Sequence, residues 1–376
     1  MVRHRRHLHQ NPEVGINLPD THQYVLEQLQ ACGLDPEFHP GAGISVLVRG
    51  AANTMTPMVF RADMDALPVQ ENPDVPFRSA RDGAMHACGH DLHTATLLGL
   101  AQDLVDRPTV RDVVLVFQPG EESHRGALKV LQHKNLQLKT AEAFAVHVNA
   151  VMPTGSIAYS RGTFMAYGDW FLLDIHGPGG HASAPERAGN PVRAGSQFVE
   201  ELVSIAQELS TRRGRVVATV TEFLSGNTVN VIPTQGSLRG TIRSVTESQR
   251  EELHTRMHEL CDHMAVLHGL EISLSITTGY PAVISEPDFV NAFLGALERE
   301  GLGGHVKEME HPSMVIEDFS YFLHRWPGAM VYVGAAVGEN PSFNHSAGAQ
   351  FDEDAMKTSF AVFRALAPAA ESNGKG

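Results

Sequence analysis

The order of apolar and polar positions sorts the first part of the chain into alternating strand and helix patterns. After Asp20, the residues Val25, Leu29 and Cys32 recur at helical spacing, and Gly33 ends the run. Strands are predicted at about Ile44–Arg49 and Met58–Arg61. A helix further on carries Leu97, Leu100, Ala101 and Leu104 on one face. Val113–Phe117 is wholly apolar, the pattern of a central strand buried on both faces. A helix near Gly126–His133 and a strand near Ala143–Val148 continue the alternation. This order predicts an α/β layer with a largely parallel sheet.

The pattern changes after about residue 163. Phe164–Ile175 reads as a strand, and Pro191–Leu209 as a helix with Phe198, Leu202, Ile205 and Leu209 inward. Strands follow at Val216–Phe223 and Leu238–Ser244. Thr246 and Gln249 then form a capping-box signature for a helix with Leu253, Met257, Leu260, Cys261, Met264 and Leu267 on its stripe. Glu271–Thr277 closes the series. The order β-α-β-β-α-β is that of a ferredoxin-like split unit. We therefore expect residues 164–279 to be an α+β domain inserted into an α/β domain made of 1–163 and 280–376. From Tyr280 the chain returns with a helix at Pro287–Glu300, a short helix near Glu317, a strand at Met330–Val333 and a last helix after Asp352. The residues from Glu371 look frayed.

Composition narrows the partners. A formal net charge of -14 argues against nucleic acid and against an anionic membrane surface. No apolar run approaches the ~20 residues needed to cross a bilayer. The basic start, Met1 to Arg6, is not followed by the apolar core of a signal peptide, so a cytoplasmic location is expected. Three cysteines do not make a disulfide framework. Cys32 and Cys261 lie on helical apolar stripes and read as core residues, whereas Cys88 lies on no such stripe.

Cys88 belongs to the densest chemistry in the chain, Met85-His86-Ala87-Cys88-Gly89-His90-Asp91-Leu92-His93. Cysteine, histidine and aspartate are transition-metal ligands. Asp63 and Asp65 follow one predicted strand, Glu121 and Glu122 another, and His147 ends a third, with His345 in a loop before the last helix. Each alone has an ordinary reading: acidic pairs are commonly solvated, and a histidine after an apolar strand is commonly a core residue. Together they lie where open α/β sheets bind ligands, at the carboxyl ends of strands. After Pro119-Gly120 the backbone is irregular enough for both glutamates to face one cleft. One can then bind metal while the other takes a proton from an activated water. In the inserted segment, His176-Gly177-Pro178-Gly179-Gly180-His181-Ala182-Ser183 reads equally as a flexible hairpin or as a loop that approaches a ligand closely. Asn230 either hydrogen-bonds a substrate or caps a turn. No Gly-x-Ser-x-Gly elbow supports a serine hydrolase.

These segments together resemble the di-metal amidohydrolases and peptidases that include hippurate hydrolase, auxin–amino-acid conjugate hydrolases and N-acetyldiaminopimelate deacetylase. The resemblance runs in order from Leu8-His9-Gln10-Asn11-Pro12-Glu13 through Arg61-Ala62-Asp63-Met64-Asp65, His86-Ala87-Cys88-Gly89-His90-Asp91, Gln118-Pro119-Gly120-Glu121-Glu122, Gly179-Gly180-His181-Ala182-Ser183 and Asn230-Val231-Ile232-Pro233 to Glu317-Asp318-Phe319-Ser320 and Asn344-His345. It implies a metal-binding catalytic domain and an inserted lid through which such proteins often form homodimers. It also implies two divalent ions held by Cys88, His90, Glu122, His147 and His345, with Cys88 bridging; the thiolate favours zinc and the imidazoles and carboxylate also accept manganese or nickel, which leaves the metal open. By the same resemblance Glu121 is the general base and acid, His181 polarises the scissile carbonyl from the lid, and Asp65 orients a ligand. The implied reaction is metal-dependent hydrolysis of an N-acyl amino acid, a small-molecule substrate. A dipeptidase or aminopeptidase on the same scaffold is the nearest alternative, and a non-catalytic metal- or ligand-binding protein is the alternative of another class. Two departures stand out. The chain starts close to the first shared motif, closer than expected if a leading segment is part of the protein. Met314-Val315-Ile316 stands where relatives commonly carry a Gly-Ser pair, a difference expected to reshape the substrate pocket.

Overall fold

The apolar stretch Val113–Phe117 lies inside an eight-stranded sheet of the computed structural model, which describes residues 1–51, 56–210 and 214–370. The tail from residue 371, expected to be frayed, falls outside them. Across the sheet the strands run Glu37–His39, Gly43–Val48, Val113–Gln118, Met58–Asp63, Glu142–Asn149, Gly328–Gly334, Ile157–Tyr159 and Val306–Glu308. The central four, from Val113–Gln118 to Gly328–Gly334, are mutually parallel. Gly43–Val48 on one side and Ile157–Tyr159 on the other pair antiparallel with this block, so the sheet is mixed and not largely parallel. The parallel block is the part that positions the site, because all its carboxyl ends lie along one edge.

Helices Pro19–Ala31, His90–Asp106, Pro287–Arg299 and Ala355–Leu366 share a single core with these strands. Val25, Leu97, Phe293 and Phe363 belong to it together with Phe60 and Phe144. The ring of Phe60 lies 4.9 Å from that of Phe363, and Phe144 lies 5.1 Å from Phe293. A helix at Val2–Gln10 has no counterpart in the sequence reading. Cys32 corrects an expectation: it caps the C-terminus of Pro19–Ala31, half-buried, and its thiol donates to Gln102 Oε1 at 3.1 Å. Cys261, by contrast, is buried.

The chain divides into two compact units. The larger holds Met1–Phe164, Ile284–Met309 and Glu317–Gly376, and the smaller holds Met165–Val283 and Glu310–Ile316. The second piece of the smaller unit departs from the expected boundaries. Ala166 N–H bonds the carbonyls of Ser313 and Val315, which ties that short segment to the smaller unit.

The smaller unit has a four-stranded antiparallel sheet in the order Val217–Ser225, Gln235–Ser244, Tyr167–His176, Glu271–Tyr280. Helices Pro191–Leu209 and Glu247–His268 supply Phe198, Leu202, Met257 and Met264 to its core. With the element order β-α-β-β-α-β this is the ferredoxin-like arrangement. The Thr246–Gln249 capping box is formed in full. A separate two-stranded ribbon pairs Gly180–His181 with Val231–Ile232.

Candidate metal centre

Two glycines shape the backbone that presents the ligand-type side chains. Gly89 and Gly120 both adopt left-handed φ, 83° and 70°, immediately before the helices His90–Asp106 and Glu121–His124. A Cβ at Gly89 would lie 2.3 Å from Val148 Cγ2, so the turn that carries Cys88 and His90 is closed to larger residues. The Glu121–Glu122 turn is fixed by Asp65. Its two carboxylate oxygens accept the N–H groups of Glu121 (3.0 Å) and Glu122 (3.2 Å).

Three histidines present the same nitrogen. His90 Nδ1 donates to the Asp65 carbonyl at 2.8 Å, and His147 Nδ1 donates to the Val148 carbonyl at 2.8 Å. Each bond fixes the tautomer and leaves Nε2 without a proton, the form that can bind a metal. His147 Nε2 lies 3.5 Å from Cys88 Sγ, and His345 Nε2 lies 3.1 Å from the same sulfur and 3.2 Å from Glu122 Oε1. His345 holds a left-handed φ of 69°, uncommon for a residue with a side chain.

The donor atoms fall into two sets that share one member. Cys88, His90 and His147 lie within 4.8 Å of one another, and so do Cys88, Glu122 and His345. Ligands at the usual ~2.0–2.3 Å from a tetrahedral ion stand about 3.3–3.8 Å apart, close to the separations seen. His90 Nε2 is buried and makes no hydrogen bond among the described residues. Asp63 Oδ2 at 3.6 Å and Glu122 Oε1 at 3.9 Å are the carboxylate oxygens near it; a buried nitrogen without a hydrogen bond is costly unless a ligand takes it, so this donor set fits divalent ions.

Other clusters nearby do not fit as well. Asp63, His90 and His93 lie together. However, His93 donates from Nδ1 to Asp63 (2.6 Å) and accepts the Val148 N–H at Nε2 (2.9 Å), so both its nitrogens are engaged. Glu121, Glu317 and Asp318 also lie together, but that group already has its cation. The buried Arg61 guanidinium bonds Glu317 (2.9 Å), Asp318 (2.8 Å) and Asp63 (2.6 Å). Burial works against charging Arg61, yet Glu317, Asp63 and Asp318 hold it firmly protonated. Burial and the carboxylates of Glu317, Glu122 and Asp318 push the Glu121 carboxyl well above the usual range. Burial also pushes Asp318 up to about 8, despite Arg61.

The structure thus brings Cys88, His90, Glu122, His147 and His345 together, with Glu121 alongside and Asp65 behind them. His181 and Asn230 belong to the smaller unit. There the Gly180–His181 ribbon and the Ala182 N–H bond to the Asn230 carbonyl (3.1 Å) make the two motifs neighbours. Sequence reasoning passed over Arg61 and Asn344. Both stand inside motifs already singled out, but neither is a ligand type.

A model of peptidase family M20/M25/M40 matches residues 59–369. The chain belongs to this family. An N-acetyldiaminopimelate deacetylase of Anoxybacillus flavithermus is 34% identical over 355 residues, covering 94% of this chain and 92% of its own. Thermostable carboxypeptidase 2 of Saccharolobus solfataricus is 32% identical over 366 residues, covering 95% and 92%. Among solved structures, a dinuclear metal-binding peptidase of the M20 family from Bacillus subtilis superimposes with a TM-score of 0.84 at 28% identity, covering 97% of this chain and 96% of that one. As an M20 member the chain is a hydrolase of amide bonds. Among the described residues no helix is long and apolar enough to cross a membrane.

Proposed function

We propose that this M20 hydrolase cleaves the amide bond of an N-acyl amino acid and releases a carboxylic acid and a free amino acid. Glu121 carries the reading. It is a buried carboxylate outside the two donor sets that share Cys88, yet one of its oxygens lies within 4.8 Å of donor atoms of His90 and Glu122, which is where a base acting on an activated water would stand. A binding protein has no use for such a group, whereas a hydrolase needs it as base and acid.

Two divalent ions held by Cys88, His90, Glu122, His147 and His345 would supply Lewis acidity to the scissile carbonyl and make an attacking water acidic near neutral pH. The chain's own groups do the rest. Glu121 takes the water's proton on its carboxylate and delivers it to the departing amide nitrogen. Asp65 keeps the Glu121–Glu122 turn in place through two N–H bonds. On the smaller unit, His181 Nδ1 accepts bonds from Ser183 N (3.1 Å) and Oγ (2.7 Å), which leaves the proton on Nε2. That is the form that donates to a developing oxyanion. Asn230, next to it on the ribbon, is assigned to substrate. The thiolate favours zinc, while imidazole and carboxylate also accept manganese or nickel.

A deacetylase and a carboxypeptidase both free an amino acid from an acyl group on its nitrogen, and relatives of both names support the substrate class. The carboxypeptidase relative also favours a second reading, cleavage of short peptides, in which the acyl group is itself an amino acid. The family resemblance supports a homodimer formed through the smaller unit. Three free cysteines suit a location in the cytoplasm.

The test is a panel of hippurate, N-acetyl amino acids and dipeptides with metal-loaded protein. Glu121→Gln should lower kcat about 10²–10⁴-fold while both ions stay bound by metal analysis. Undiminished turnover in this variant would refute the assignment. Preference for dipeptides over acyl amino acids selects the peptidase reading.

A further inference from the structure

We infer that Asn344 is the positioning residue that sets the spacing of Cys88, His147 and His345, three ligands contributed by separate segments. Its side-chain amide touches each of these segments. Oδ1 accepts the Ala150 N–H at 3.0 Å. Nδ2 donates to the Val148 carbonyl at 3.1 Å and to the Cys88 carbonyl at 3.4 Å, and it stands 3.8 Å from Cys88 Sγ. The Val148 carbonyl is also the oxygen that fixes His147 Nδ1. His345 is the next residue along, and its own N–H bonds the Ala87 carbonyl at 2.8 Å.

The partners fix the orientation of the amide. Turned over, Oδ1 would face two carbonyl oxygens, and the NH₂ group would face an N–H. Only an asparagine amide at this position offers one acceptor and two donors in that order. Asp65 performs the matching task for the other half of the centre, since it holds His90 through its carbonyl and Glu122 through its carboxylate. Asp65 and Asn344 between them therefore tie down all five ligands.

The inference rests on the metal-centre reading above, and cobalt separates the two. The unaltered protein is loaded with Co²⁺, and its affinity is read by competition with a chelator. Thiolate-to-cobalt absorption is recorded alongside. Asn344→Asp keeps the acceptor for Ala150 and removes both donors, while Asn344→Ala removes all the bonds without adding charge. Each folded apo variant, checked by far-UV circular dichroism, should bind Co²⁺ about 10–100-fold more weakly with a shifted or weakened thiolate band. The inference is overturned if either folded variant binds within threefold of the unaltered protein with the same band. It is overturned equally if both variants lose the apo fold, because Asn344 would then serve folding and not the centre. Absence of a thiolate band in the unaltered protein refutes the centre itself, and this inference with it.

Discussion

At the scale of the residue, the site is decided by what occupies each second nitrogen or oxygen. His90 and His93 lie on the same helix, three positions apart, and are both buried. His90 keeps one nitrogen without a hydrogen bond, with Asp63 no nearer than 3.6 Å, whereas the Val148 N–H and Asp63 use both nitrogens of His93. The ligand types were legible in the sequence because cysteine, histidine and carboxylate recur at successive strand ends. Their supports were not, because each forms across long separations between residues of ordinary type. Arg61 is the clearest case. Its carboxylate partners Glu317 and Asp318 arrive from the other side of the inserted segment. Removing the guanidinium strands buried negative charge, so Arg61→Met should cost about 3–5 kcal/mol of stability. Urea unfolding of the larger unit measures this, and a loss under about 1 kcal/mol would mean that the carboxylates are balanced otherwise.

At the scale of the element, propensity and anchoring carry different weights in different helices. Pro191–Leu209 has a clear apolar stripe and was read to the residue. Val2–Gln10 has almost no stripe, with Val2 and Leu8 as its only large apolar residues, so periodicity missed it. It is held instead by charge: Arg5 pairs with Asp91 at 2.9 Å, and His9 lies between Asp91 (2.9 Å) and Glu71 (3.0 Å). Burial alone would lower the His9 pKa, but Asp91 and then Glu71 outweigh it and raise it to about 9. The unfolded value is about 6.5. A raised folded pKa gives stability that is full below the unfolded value and is lost as pH rises through the folded one. Stability should therefore decline between about pH 6.5 and pH 9, and His9→Gln should flatten that slope in thermal unfolding at several pH values. An unchanged slope would assign the effect elsewhere. The capping box of Glu247–His268 gives a simpler case. Thr246 accepts the Gln249 N–H at 3.2 Å, and Thr246→Ala should cost about 1 kcal/mol in equilibrium unfolding.

At the scale of the whole molecule, the β-α-β-β-α-β order was legible because each of its elements has its own period. Glu310–Ile316 has none, and only its hydrogen bonds to Ala166 reveal where it belongs. The division has a thermodynamic consequence. All five proposed ligands lie in the larger unit, and the smaller one has its own core of Phe171, Leu202, Leu238 and Met257. Metal binding stabilises only the state that holds the site, by about 2.7 kcal/mol at a free ion concentration 100 times Kd. Chelation should therefore lower the unfolding midpoint of the larger unit and leave that of the smaller one in place. The two are separable by probe, since Trp170 reports on the smaller unit and Trp326 on the larger. With Trp326→Phe as the single-tryptophan protein, added chelator should leave the fluorescence transition unmoved; with Trp170→Phe it should shift it downward. A transition that moves equally in both would show that the units unfold as one.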